Sequence, residues 1–425
     1  MEYIESLPNR YSYLLKKKSN FYDWFISSKV YISNKKTNIK QIIYSLEILL
    51  EEYESLRIKF KIFNEEIFEF IEKTYNVTSY VDVSCINVMK IDDIEQNIIY
   101  RINKYKSTLD GEKELFRLFV TIDANEKVYI YFLVHHITCD LISYVMIKNR
   151  FFNLLEDPKI GEKISYKEYV EEVRKYWKNE KNLKDNIIFY WESFYLRKFD
   201  SLGEFDGQLL LEKNSEKLEI KLTGNIIEII GRISKRDLAI SLLISYSRAL
   251  YFWSNGKMKN NLIYLVYHGR EYFDNKINSA NLVGWLNQVF PFSIQNSLPI
   301  EKLVEILRTQ IYYMYANSSS YGILKYIVKL PLLVNIPEAQ ISINIALENR
   351  EINLDDVEVA NINIENKMNE NSERAFVLSS GFYIRDGSYC FSIDFSNKIY
   401  SRVSINNLLT KFKIEFNNFL VDNYA

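Results

Sequence analysis

Apolar residues recur at helical spacing between residues 38 and 50, where Ile39, Ile42, Ile43, Leu46, Leu49 and Leu50 share one face and Asn38 stands at the N-cap position. The stretch Glu54-Ser55-Leu56-Arg57-Ile58-Lys59-Phe60 then reads as a helix end leading into a strand. Leu115 to Ile122 and Lys127 to Val134 are apolar runs of strand length joined by a turn around Asp123-Ala124-Asn125. Helical spacing returns at 141 to 155 and from Tyr166 to Trp177, and the Lys/Asn/Glu-rich residues 178 to 186 form a charged stretch between apolar segments. A lobe boundary is expected there, dividing the chain into 1–178 and 179–425. The second half repeats the pattern, with helices at 235 to 253, 301 to 314 and 404 to 420 and strands at 262 to 266, 339 to 346, 380 to 384 and 389 to 395. Strands mixed with helices in both halves predict an α/β (α+β) protein of two similar-sized lobes.

Composition narrows the function classes. With 54 basic and 55 acidic side chains the formal net charge is −1, which gives no reason to expect nucleic acid or an anionic membrane as partner. Tyr and Phe are abundant, but no RNA-binding motif or basic interleaving accompanies them. Cys85, Cys139 and Cys390 are widely separated, without a CxxC spacing, so a disulfide framework is not expected. The start, Met1-Glu2-Tyr3-Ile4-Glu5, lacks a basic region followed by an apolar one, and no apolar run approaches the ~20 residues that span a bilayer. A soluble, cytoplasmic protein is the expectation.

Candidate chemistry concentrates in one place. The chain has three histidines, and two of them lie in Val134-His135-His136-Ile137-Thr138-Cys139-Asp140, directly after a predicted strand. A histidine projecting from a strand end can take a proton from an incoming amine or hydroxyl, an assistance worth roughly 10²–10⁴-fold. A nearby carboxylate can fix an imidazole tautomer, or it can brace the loop by pairing with an arginine. A pair of ordinary structural histidines is the alternative. No metal site is expected, because histidines adjacent in sequence ligate one ion poorly and Cys139 and Asp140 share the same short loop.

The run Val134 to Asp140 resembles the HHxxxDG signature of the nonribosomal peptide synthetase condensation superfamily, which includes epimerization domains and shares its fold with chloramphenicol acetyltransferase. Other segments agree in the same order. Tyr53 to Phe60 resembles the HExLRxxF element and Leu115-Phe116-Arg117-Leu118 the segment preceding the histidines. Tyr166-Lys167-Glu168-Tyr169-Val170 with Trp177 resembles YxDYAxW, and Asn281 to Phe292 resembles VGxFVNxxPxR. The resemblance covers roughly residues 5 to 420. It implies two chloramphenicol acetyltransferase-like lobes in a V-shaped pseudo-dimer, with a tunnel along their interface reached by two phosphopantetheine arms. It implies no bound cofactor, the phosphopantetheine being carried by partner peptidyl or aminoacyl carrier proteins.

The implied function is condensation: an amide or ester bond formed between a carrier-bound acyl or aminoacyl thioester and an acceptor. By resemblance His136 is the catalytic residue, His135 a buried hydrogen-bonded neighbour, and Asp140 a structural group paired with Arg57. Ser143, His268, Arg270, Trp285, Asn287 and Asn344 are expected along the substrate tunnel, although Trp285 could equally be core and Ser143 a helix cap.

Several details resemble epimerization domains instead: His268-Gly269-Arg270-Glu271, Val283-Gly284-Trp285, Ser143-Tyr144, Ser320-Tyr321-Gly322-Ile323-Leu324 and, faintly, Ile343-Asn344-Ile345. Yet the glutamate of the epimerization EGHGRE element is here Val266, which cannot exchange a proton, and Glu271 lies five positions away. Epimerization is therefore the alternative function. A non-catalytic domain recruiting carriers or a tailoring enzyme is a further one, motivated by Val266 and by Leu141, which replaces the motif's glycine. If that glycine is required for a positive φ or a close approach, Leu141 would strain the loop.

Overall fold

The helix read at residues 38 to 50 spans Ile39–Glu52 and begins with a complete capping box. Asn38 Oδ1 accepts from the Gln41 N–H and the Gln41 side chain accepts from the Asn38 N–H, so two donors orphaned at the helix start are satisfied reciprocally. The computed structural model describes residues 2–4, 6–10, 24–26, 28–33, 37–63, 66–109, 113–270, 279–347, 357–362, 364 and 370–425.

The strands in chain order are β1 (Glu2–Ile4), β2 (Val30–Ser33), β3 (Ile58–Phe63), β4 (Glu66–Ile71), β5 (Val81–Cys85), β6 (Phe116–Ile122) and β7 (Val128–Val134). They continue with β8 (Ser215–Lys221), β9 (Asn260–Tyr267), β10 (Gln288–Gln295), β11 (Ile341–Ala346), β12 (Val357–Val359), β13 (Leu378–Arg385) and β14 (Ser388–Ser396). Mixed with the helices, they give an α/β protein.

The chain divides into two compact units that are not consecutive halves. Unit 1 comprises Met1–Tyr176, Tyr272–Leu286 and Arg350–Met368; unit 2 comprises Trp177–Glu271, Asn287–Asn349 and Asn369–Ala425.

In unit 1 a five-stranded sheet has the order β12-β2-β7-β6-β5, and a smaller one the order β1-β4-β3. Strand β7 is buried along its whole length. Its side chains alternate between two cores, as the two-residue period of a strand requires. Ile130, Phe132 and Val134 pack with the helices Ile39–Glu52 and Leu141–Glu156, while Tyr129, Tyr131 and Leu133 pack with the helix Ile91–Lys106. A sheet covered on both faces explains why β7 reads as an unbroken apolar run.

Unit 2 is built on a six-stranded sheet of order β10-β9-β11-β13-β14-β8. One continuous core joins it to the helices Lys235–Trp253, Ile300–Asn317 and Arg402–Tyr424. The charged residues 178 to 186 prove largely helical: they open the helix Glu180–Phe194, whose N-cap Asn179 accepts from the Lys181 and Asn182 N–H groups. Strand β10 escaped the pattern because Pro291 interrupts it; the proline is tolerated because β10 is an edge strand.

Candidate functional site

The histidine loop grows out of the end of β7. His135 forms an antiparallel bridge with Phe25, a register that sets residue 24 against residue 136. The hydrogen bonds agree: the Ile26 N–H donates to Val134 O at 2.9 Å, and the His136 N–H to Trp24 O at 2.7 Å. A tight turn follows, closed by the Thr138 N–H on His135 O at 3.0 Å and the Cys139 N–H on His136 O at 3.2 Å. Asp140 then caps the helix Leu141–Glu156.

The two imidazoles point into different surroundings. His135 is fully buried; its Nδ1 accepts the Ile137 N–H at 3.0 Å, and its ring meets Phe25 edge-on at 5.1 Å. His136 is only partly buried. Its ring stacks on Trp24 at a centroid distance of 4.0 Å with 18° between the planes, and meets Trp285 edge-on at 5.6 Å. The two indoles touch each other edge to face at 5.1 Å.

Nδ1 of His136 is shielded from solvent and has no partner from any other described residue. Burial pushes the His136 pKa below the ordinary histidine value, while its own backbone and the Asp140 carboxylate pull the other way without reversing the shift. A neutral ring with Nε2 free of protein hydrogen bonds can accept a proton once the ring hydrogen sits on Nδ1, the nitrogen nearest its own backbone.

Asp140 and Ser143 tie this loop to the segment ending at Leu286. Asp140 Oδ1 accepts the Ser143 N–H at 2.8 Å and Oδ2 accepts the Leu286 N–H at 3.2 Å. The Asp140 N–H donates to Gly284 O at 3.2 Å. Ser143 Oγ donates to Gly284 O at 2.8 Å and accepts the Gly284 N–H at 3.0 Å. Both side chains are fully buried. Ser143 acts as a staple between the two segments, and the cap is Asp140.

The expected Arg57–Asp140 pair is not formed. Arg57 ends the 3₁₀ turn Glu54–Arg57, where its Nε donates to Leu50 O at 2.7 Å, a guanidinium nitrogen donates to Glu72 O, and the group lies 4.9 Å from the Tyr75 ring. A cation beside the last carbonyls of a helix satisfies acceptors that have no partner within it. The strain expected at Leu141 is also absent. It is the first residue of its helix, has no positive φ, and is 53% exposed, so neither its backbone nor burial forces strain on the loop.

Gly284 is a position of this segment where a side chain would be crowded. A Cβ there would lie 3.0 Å from Tyr166 Cε2 and 3.1 Å from Cδ2, and the Tyr166 ring is itself pinned in the core beneath the Arg10 guanidinium. Gly284→Ala is expected to cost about 1–3 kcal/mol through overpacking, read as a lower urea midpoint. A midpoint equal to wild type would mean that the Tyr166 ring yields.

The remaining sequence-predicted residues belong to unit 2. His268 and Arg270 flank Gly269, whose φ of 64° makes the turn after β9. His268 Nδ1 accepts the Arg270 N–H at 3.1 Å, and Arg270 donates back to His268 O at 3.2 Å. Asn287 immediately precedes β10, and Asn344, exposed on β11, pairs with Val266. Glu271 lies outside the described residues. Trp24 was missed from sequence because no motif marks it; it reaches the site only through cross-strand register.

Comparisons with known proteins bear on the family and the fold. The condensation-domain family model matches residues 10–422. Surfactin synthase subunit 2 of Bacillus subtilis (strain 168) is 19% identical over 87% of this chain, and tyrocidine synthase 1 of Brevibacillus parabrevis is 20% identical over 66%. The matched regions cover 10% and 27% of those two proteins, so the chain spans only a minor part of their length. The crystal structure of the epimerization domain from the third module of tyrocidine synthetase B superposes with a TM-score of 0.83 at 16% identity, covering 99% of this chain and 98% of that one. The chain belongs to the condensation-domain family. Among the described residues no helix is long and apolar enough to cross a membrane.

Proposed function

We propose that the protein catalyses condensation, joining an acyl or aminoacyl group held as a thioester on one carrier protein to an acceptor amine or hydroxyl. The observation that carries this reading is His136, held against two indoles, with its Nδ1 shielded from solvent and without a partner from any other described residue. In the reaction, the acceptor nitrogen or oxygen attacks the thioester carbonyl as Nε2 takes its proton. The new C–N or C–O bond forms, the C–S bond breaks, and the proton passes to the departing thiolate. Two tethered substrates brought together supply proximity, so the residues need do little more than move one proton.

The sign of the pH dependence follows from burial. The working ring is neutral, and its pKa is depressed, so activity should persist below the ordinary histidine range near 6.5 and fall only as the pH drops through the lowered value. A rate that instead declines on lowering the pH through the ordinary range would contradict the burial argument.

The second reading is epimerization of a carrier-bound aminoacyl or peptidyl group, favoured by the HGR and VGW segments. Against it stands Val266, an aliphatic side chain on β9 whose strand neighbours are Val289 and Asn344. Intact-mass spectrometry of a loaded aminoacyl carrier in deuterated water, with and without a second loaded carrier, separates the readings. Mass transfer between carriers supports condensation. A one-dalton gain without transfer means epimerization, and carrier binding without turnover means a recruitment domain.

A further inference from the structure

We propose that Trp24 is a positioning residue for His136: its indole, stacked on the imidazole and braced by Trp285, fixes the plane of that ring and so leaves Nε2 to meet the acceptor. The inference rests on the reading of His136 as the proton-transfer group and assigns the means by which that group is held. Three observations converge. The Phe25–His135 register and the 2.7 Å bond from His136 N–H to Trp24 O place the two side chains as cross-strand neighbours. The ring planes are nearly parallel, 18° apart at 4.0 Å. Trp285 closes the corner, edge-on to both rings.

No carboxylate or carbonyl of another described residue receives Nδ1. Histidines at proton-transfer sites are usually oriented by a hydrogen bond to that nitrogen. Here the orienting contact is a pair of aromatic surfaces instead. Stacking restricts rotation of the ring, and Nδ1 is shielded from the water that would otherwise compete there. Asp140 is the charged group that acts on the ring, and its oxygens are already occupied by the Ser143 and Leu286 N–H groups, so it cannot turn to grip Nδ1 without giving them up. In sequence Trp24 carries no mark of this role.

Because the chain has only three histidines, ¹⁵N-histidine labelling gives an NMR spectrum in which the His136 ring is identified by its loss in His136→Gln. The wild-type ring should show carbon-bound protons shifted upfield by the indole ring current and one dominant tautomer. Trp24→Phe, which keeps an aromatic face in place, should preserve both features. Trp24→Leu should abolish the ring-current shift, populate both tautomers and move the His136 titration up toward the ordinary histidine range. In the carrier assay, Trp24→Leu should lower the transfer rate about tenfold or more, with Trp24→Phe recovering most of it.

A folded Trp24→Leu protein whose His136 tautomer and titration match wild type overturns the proposal. So does a Trp24→Phe spectrum disturbed as much as that of Trp24→Leu. If Trp24→Leu does not fold, the wild-type ring-current shift and the Trp24→Phe spectrum decide. The NMR signals are read without any carrier protein. A clamped His136 in a protein that transfers nothing therefore removes the condensation reading while leaving the clamp intact, and transfer by a protein with an unclamped ring does the reverse.

Discussion

His136→Ala is expected to reduce transfer from a loaded carrier to the level set by proximity alone, a loss of about 10²–10⁴-fold. The size follows from the role: one imidazole that takes a proton from the acceptor and returns it to the departing thiolate cannot be replaced by a methyl group. The fold should survive. The ring is only partly buried and contributes no side-chain hydrogen bond to another described residue, so the loss is mainly its stacking on Trp24 and its edge contact with Trp285, about 0.5–1.5 kcal/mol. His136→Gln keeps more of the volume and should be equally inactive. Single-turnover mass spectrometry measures the transfer, and a thermal melt checks the fold. Unchanged transfer in a folded His136→Ala protein would remove condensation by this residue from consideration.

Asp140→Ala should act through stability. The buried carboxylate is the cap of the helix Leu141–Glu156 and, through its other oxygen, the acceptor for Leu286 N–H. Losing a cap costs about 0.5–2 kcal/mol. A buried N–H left without an acceptor costs a further ~1–3 kcal/mol, so a destabilisation of about 2–4 kcal/mol is expected and should lower the urea midpoint. Asp140→Asn, which retains one oxygen, should fall between. Activity loss in either variant should track the unfolded or loosened fraction, because both carboxylate oxygens accept backbone N–H groups that hold the loop. A stable but inactive Asp140→Ala protein would mean that the carboxylate's charge on the His136 ring, rather than its support of the loop, is what activity needs.

Much of the local structure was legible because its causes are local. The capping box at Asn38 and Gln41 and the apolar stripe behind it determine the helix Ile39–Glu52 within a few residues. The paired strands β6 and β7 follow from apolar runs around a polar turn. Other elements were less visible. The helix Ile91–Lys106 has no side-chain cap at Lys90, and its buried stripe of Ile94, Ile98, Ile102 and Tyr105 is diluted by charged residues. Strand β10 was obscured by its proline.

The site divides in the same way. Residues contiguous in the chain, His135, His136 and Asp140, could be read as a unit. The partner of Asp140 could not. Arg57 was a reasonable electrostatic match, but the carbonyl ends of the helix Ile39–Glu52 claimed its guanidinium, and backbone N–H groups claimed the carboxylate. Which of several competing partners a charged group takes depends on distances that sequence does not contain.

By itself, then, the sequence determined an α/β chain, the family signature and the loop that bears the histidines, because periodicity, capping and motif spacing act over a few neighbouring residues. Only the tertiary structure decided that Trp24, Trp285 and Gly284 surround that loop, that Leu141 sits without strain, and that segments 272–286 and 350–368 join unit 1. Those outcomes depend on strand register and on the return of distant segments to one core, and the bulk of the free energy that fixes them is non-directional burial of apolar surface. Burial of that kind specifies which residues must be inside without naming the neighbours they will meet there.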